Sequence, residues 1–571
     1  MTNILGIGPN AKQQQLAGSL RFQTSQAGSV IPLVYGTTRI SPNVLDYQDF
    51  EAVGGSAGKG KGGAAGSAGK AGKSSQTMYS ASVILGLCQG PITQFGEVWY
   101  NKSVGALLDL LGLSTKNLGA DGQPADPYWV TNHAPNAIGY SGTANITLDK
   151  YNLGASASLP NFTFEVYGIG SSTWLNGADA NPAFIVSDFL TNARYGAGFP
   201  AANLDSLTSY SEYCTALGVA LSPSIDTQIP AQQQLADIAK ITNSAIVWSG
   251  GLLKIIPYGD MPLSTSFTLI TVAGAVAGGD TITATFTGAG LGSPVAVSYT
   301  AGAANVNADT LYMSSFTGAL AGQINASGLQ AFGVHAGVAP NGLMIFDNSG
   351  TGTLAVGVTF SGAGGETATI SPLGTYSWQP YTTPVYSLDD DDFIVQESTV
   401  GSYLGVTPGT AALRQGATPV TGGFTDDPVH VQRSSPADAA NWVEIECVDR
   451  SNSYNKWPVV AFDQGAIDLY GVRKDSSVKG NAIVDVQHVG PVVAQLVLQR
   501  NLYYRNTYTF NLGWKFCLLE PMDLVQLSDP YLGLDNLTVR ITGVSEDEEG
   551  TLAITAEDFF GVPAAVQYPQ A

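Results

Sequence analysis

Leu537-Thr538-Val539-Arg540-Ile541-Thr542 and Thr551-Leu552-Ala553-Ile554-Thr555-Ala556 decide how this chain reads. Both runs are rich in β-branched residues and alternate apolar with polar positions, the period of a strand with one buried face. Ser545-Glu546-Asp547-Glu548-Glu549-Gly550 stands between them, so the pair reads as an antiparallel hairpin with a solvated acidic tip. The signature recurs upstream. Thr507 to Leu512 reads as a strand after a helical stretch from Val492 to Arg505, and Val443, Ile445 and Cys447 alternate with Glu444 and Glu446. Met78 to Leu85 and Asn161 to Val166 add further strands.

Helical signals concentrate in one stretch. Asn181-Pro182 is an N-cap with proline at the first helical position, and Ile185 and Phe189 follow four apart. Asp205 is expected to cap a second helix carrying Leu207, Tyr210, Cys214 and Leu217, closed by Gly218. A third runs from about Pro230 with Leu235, Ile238 and Ile241 facing inward. Ser249-Gly250-Gly251 then joins two short strand runs as a hairpin.

Composition changes twice along the 571 residues. Between Gly54 and Lys73 lie nine glycines and four lysines among Ala and Ser, a flexible coil spanning roughly 25 Å. No Lys or Arg occurs between Lys254 and Arg414. Strand signals there (Thr281 to Phe286, Val295 to Tyr299, Leu343 to Phe346, Val356 to Phe360) surround a helix striped by Tyr312, Phe316, Leu320 and Ile324. The chain therefore reads as an α+β, β-rich multidomain protein. Its expected parts are a β-rich domain over 1–178 with a flexible Gly/Lys loop at 54–77, a small α+β domain over 179–262, an uncharged β-rich inserted module over 263–380, and a C-terminal α+β domain over 381–571.

Charged residues make up 12% of the chain, about half the usual share of roughly 25%. With 44% apolar residues it is not a disordered chain. A subunit that loses surface to its neighbours needs fewer charges than a free monomer, so the composition leans toward an assembly component. The net charge of −21 argues against binding phosphate backbones or anionic membranes. Met1 to Gly6 shows no secretory signal, and the scattered Cys88, Cys214, Cys447 and Cys517 read as reduced core residues.

No motif makes an enzyme. Gly54-Gly55-Ser56-Ala57-Gly58 matches a nucleophile elbow, and Gly58, Gly60 and Gly63 match a dinucleotide fingerprint, but both sit in the Gly/Lys coil without strand and helix around them. Gly72-Lys73-Ser74 lacks the first glycine of a phosphate loop, Ser67 standing in its place. His133, His335, His430 and His488 are isolated, with no zinc spacing. Asp389-Asp390-Asp391-Asp392 lacks the alternation of a calcium loop and reads as a solvated connection. Glu444 and Glu446 would lie about 7 Å apart on one strand face, within glycosidase range, yet acids on a wet strand face are common. No catalytic, cofactor or metal residues are assigned.

Asp427-Pro428-Val429-His430-Val431, Ser435 to Asn441, Asp449-Arg450-Ser451-Asn452-Ser453-Tyr454-Asn455 and Asp463 to Asp468 resemble the central tail-tip proteins of long-tailed bacteriophages, the tip attachment (J-type) or baseplate hub family. So do Arg505 to Phe510, Leu519 to Val525, Pro32-Leu33-Val34-Tyr35-Gly36, Tyr79 to Ser82, Cys88 to Ile92 and Asn181 through Gly196. The resemblance covers 20–265 and 385–560 and skips the module between. It implies hub-type β-barrel or sandwich domains and a virion protein at the tail tip, made in the bacterial host cytoplasm. A homotrimer would close the tail tube, dock the distal tail protein and the tape measure protein, and carry a fibre or receptor-binding protein. DNA would pass an acidic wall without being bound. Larger members continue into receptor-reading regions, whereas this sequence ends at Ala571. Host recognition is accordingly expected in a separate fibre, the alternative being an adhesin that touches a host surface receptor through 263–380.

Overall fold

The alternating runs become sheets. In the computed structural model, the structure describes residues 30–53, 78–100, 103–106, 114–155, 158–302, 310–394, 397–398, 424–425, 428–530, 532–548 and 550–565. The Gly/Lys loop at 54–77, with its elbow, fingerprint and phosphate-loop look-alikes, lies outside the described residues. The chain divides into two compact units: Met1–Ser171 with Ser222–Gln228 and Ala308–Leu311, and Ser172–Leu221 with Ile229–Asn307 and Tyr312–Ala571.

In the first unit, Asn43–Val53, Met78–Gln89, Thr143–Gly154 and Ser114–Leu118 form one antiparallel sheet in that spatial order. Thr37–Ile40, Phe162–Tyr167, Gln94–Tyr100 and Ser103–Ala106 form a second. Val83, Leu85, Ile146 and Leu148 of the first sheet share one core with Val98, Phe162, Phe164 and Val166 of the second. Two amphipathic sheets thus bury their apolar faces on each other. Leu33–Val34 pairs with Ser224–Ile225, which brings the later segment into this unit.

The second unit opens with the expected helix: Asn181 Oδ1 accepts the Ala183 amide at 2.9 Å ahead of Pro182–Thr191. Thr208–Leu217 ends at Gly218, whose φ of 78° is a conformation that glycine adopts freely. Asp205 does not cap this helix, a correction to the expectation. Its amide is held by the Leu253 carbonyl at 3.0 Å, next to the bridge between Leu204 and Leu253, and the helix begins only at Thr208. Ala231–Ile241 buries Leu235, Ile238 and Ile241, and Ser244–Ser249 pairs with Leu252–Pro257 around Gly250 and Gly251.

Farther on, Val334–Ala339, Gly342–Asp347, Leu263–Ala273 and Thr367–Trp378 form a four-stranded sheet. Val295–Thr300, Thr281–Thr287 and Ala355–Ser361 form a three-stranded one. Both share a core with the helix Thr310–Ala326 through Ile282, Phe286, Phe316, Leu320, Ile324 and Ile345. The C-terminal hairpin forms as read, Leu534–Glu546 pairing with Leu552–Asp558 inside a six-stranded sheet. Beside it, Asn455–Phe462, Trp442–Asp449 and Lys474–Asp475 make a three-stranded sheet against the helix Val489–Tyr503.

The described chain is β-rich with seven α-helices, as the α+β reading expects. The barrel part of that expectation is corrected: among the described residues no sheet closes on itself, and in each sheet of three or more strands the two outermost strands pair with one neighbour each and not with one another. The cysteines are free as expected, but Cys517 is exposed where Cys88, Cys214 and Cys447 are buried. It follows the short turn Trp514–Phe516, in which only Phe516 turns inward.

Candidate interaction surface

Along Trp442–Asp449 the inward set Val443, Ile445 and Cys447 is buried, which sends Trp442, Glu444 and Glu446 outward. Register with Asn455–Phe462 places Phe462 opposite Trp442, Val460 opposite Glu444 and Pro458 opposite Glu446. The rings of Trp442 and Phe462 stack, 5.3 Å between centroids and 18° between planes. Lys474, from the third strand, stands 5.5 Å above the Trp442 ring and 3.5 Å from a Glu444 oxygen. Lys456 pairs with Glu446. The two acids considered as a glycosidase pair are therefore each matched to a lysine on an open sheet face. Such exposed pairs contribute less than about 1 kcal/mol, but they leave the face electrically neutral. Phe462 is 49% exposed and Val460 38%. Asn455–Phe462 is also an edge strand, and Pro458 interrupts its donors as natural edges do.

Two fasteners hold this face. Asn441, fully buried, donates to the Gly471 carbonyl at 2.8 Å and accepts the Arg473 amide at 2.7 Å. It thereby pins the return from the helix Gln464–Tyr470, capped by Asp463, whose neighbours Leu469 and Val472 are exposed. At the other end, Asp449 accepts the Ser451 amide and hydroxyl at 2.9 and 2.7 Å, and Ser453 and Tyr454 turn the chain with φ of 56° and 60°. Arg450 in this turn is buried and grips Asp179 through two hydrogen bonds, one of 3.2 Å. Burial opposes its charge, yet Asp179 and the Tyr454 hydroxyl outweigh that and raise its pKa well above the usual value.

The other sequence candidates lie apart. Asp389 to Asp392 close a turn on themselves, Asp391 N donating to Asp389 at 3.0 Å, and Lys515 reaches Asp392 at 3.2 Å. Among the described residues no three His, Cys, Asp or Glu side chains group around a metal position. His430 sits on the exposed strand Val429–Arg433. His335 and His488 approach to 6.0 Å beside a cavity of about 210 Å³, with His488 stacked on Phe346 at 3.5 Å. Burial, then His335, pull the His488 pKa down to about 3, so it is a neutral packing residue. The sequence reading misses one cluster and treats its His133 as isolated. In the first unit, Asp49 accepts hydrogen bonds from Tyr128, Ser82 and His133 at 2.7, 2.8 and 2.9 Å. Burial pushes its pKa up, but these partners together hold it down at about 2. Four residues from three separate segments leave no local pattern to read.

No curated protein matches the chain. A solved structure described as the virion of a native gene transfer agent (GTA) particle is similar at 15% identity, over 95% of this chain and 88% of that one, with a TM-score of 0.48. Prophage tail protein gp18 from Listeria monocytogenes EGD-e is similar at 15% identity over 30% of this chain and 43% of that one, with a TM-score of 0.16. The stacked face and both its fasteners on the C-terminal side fall inside 407–544, and over those residues the chain matches the family described as "Putative phage tail protein".

Proposed function

We propose that this chain is a structural, non-enzymatic component of a phage tail, forming a homotrimeric hub at the distal tip. In that reading it closes the tail tube, docks the distal tail protein and the tape measure protein, and carries fibres. The observation that carries the reading is the family match over 407–544, in a region whose outward face is aromatic, apolar and self-neutralised. Faces of that composition mark protein contacts. A chain with 12% charged residues and a net charge of −21 suits a subunit buried among neighbours beside a DNA path. The four expected domains would then divide the contacts to the copies and to the tail ring. Gold-labelled antibodies against the chain, imaged on purified particles, test this. Label confined to the far end of the tail is expected, and particles that lack the chain would refute the proposal.

A further inference from the structure

The module 263–380 has a surface unlike the rest of the chain. It is not the uncharged module expected, since Asp280, Asp309, Asp347 and Glu366 lie in it, but it holds no Lys or Arg, and its described acids Asp280, Asp347 and Glu366 are only 2, 5 and 8% exposed. Its described surface therefore presents no carboxylate and no cation, where soluble surfaces carry roughly 25–35% charged residues. The three-stranded sheet concentrates this character. Ile282, Ala284 and Phe286 point into the core, so Thr281, Thr283, Thr285 and Thr287 point out. Register sets Thr300 and Ser361 beside Thr281, and Ser298 and Thr359 beside Thr283. The hydroxyls bond across the strands, Thr281 to Thr300 at 2.9 Å and Thr283 to Ser298 at 2.8 Å. What remains outward on these strands is an uncharged face of methyls and hydroxyls, two pairs of which bond to each other.

Two copies of a chain carrying −21 repel each other wherever their ordinary surfaces meet. Contact is least opposed where neither side brings an unmatched charge, because stripping water from an unpaired ion is expensive. The second unit offers two such faces: the threonine sheet, and the Trp442, Val460 and Phe462 face whose ion pairs are closed within the chain. We propose that the Thr281–Thr287 sheet of one copy packs on the Trp442–Phe462 face of a second copy. The contact is heterologous, one face against a different one, and so closes rings when the rotation allows. It rests on the reading of the chain as a self-assembling tail component and adds which surfaces meet.

The test is a charge exchange in the full chain, read by sedimentation velocity over a range of concentrations. Thr283→Lys and Val460→Glu each place one charge on an outward-facing sheet position, half-buried at Thr283 and exposed at Val460, and unchanged circular dichroism confirms that each variant folds. Each alone is expected to weaken self-association about tenfold or more, and their combination to restore it to within about threefold, as opposite charges now face each other across the contact. Thr283→Val, which keeps the shape, should assemble like the parent. Single variants that assemble normally, a combination that fails to recover, or a parent chain monomeric at every concentration would overturn the pairing. So would Thr283→Lys particles that assemble fully but no longer adsorb to cells, since the face would then serve the host surface. Presence of the chain in particles is scored separately, so failure of the pairing is distinguishable from failure of the tail reading.

Discussion

Replacing Asp179 by Asn keeps the side chain's shape and removes its charge from beneath Arg450. The two residues are 271 positions apart, and the ion pair is almost sealed, with 1% of Arg450 and 3% of Asp179 exposed. Removing one partner of such a pair leaves a buried charge without compensation and costs about 3–5 kcal/mol. The unit that contains them has about 390 residues, and at about 2.1 cal/mol/K per residue this loss lowers its melting temperature by about 4–6 °C. A buried pair is screened little by salt, so the difference should persist in about 0.5 M salt. Differential scanning calorimetry of Asp179→Asn against the parent at low and high salt measures both quantities. Asp179→Leu combined with Arg450→Met, which removes both charges, should recover much of the loss. A fall below about 1 °C, or one that vanishes in salt, would show that the pair is solvated and the reasoning wrong.

His488 is neutral when folded and holds its pKa near 3, against about 6.5 in an unfolded chain. The unfolded state therefore binds the extra proton, and this stabilising contribution is complete above about pH 6.5 and falls away toward pH 3, by at most about 1.4 kcal/mol per pH unit. Buried Asp485, raised to about 7, has the opposite slope, losing stability as pH rises from about 4 to 7, but it is common to parent and variant. His488→Gln removes only the His488 slope, so the variant's stability relative to the parent should rise as pH falls from about 6.5 toward 4, and parallel profiles between pH 7 and 4 would count against the assignment. Asn441→Ala strips two side-chain hydrogen bonds from the loop that follows Leu469 and costs about 2–4 kcal/mol. Amide exchange at 463–473 should quicken while the six-stranded sheet stays protected; unchanged exchange would mean that Asn441 is not the fastener.

Much of the local structure was legible because it is written at short spacing. Asn181 before Pro182, Gly218 after Leu217, the Gly250-Gly251 turn and the hairpin around 545–550 act within four residues of themselves, and each stands where the pattern put it. Asp205 misled because a competing backbone bond comes from Leu253, 48 positions on. Cys517 misled because apolar neighbours in the chain are not neighbours in space. The interaction face was legible only in part: the alternation of 442–449 shows which residues point out. It does not show that Phe462 will stack on Trp442, or that Lys456 and Lys474 will close the charges of Glu446 and Glu444.

The sequence alone determined the strand and helix periods, the scarcity of charge, the cation-free stretch and the tail-protein resemblance, because each depends on residue identity and near-neighbour spacing. Only the tertiary structure decided that the sheets of the described residues stay open, that Arg450 closes on Asp179, and that Asp280, Asp347 and Glu366 turn inward while Thr281, Thr283, Thr285 and Thr287 turn out. Those outcomes follow from register and burial, which are set by contacts between residues that the chain itself keeps far apart.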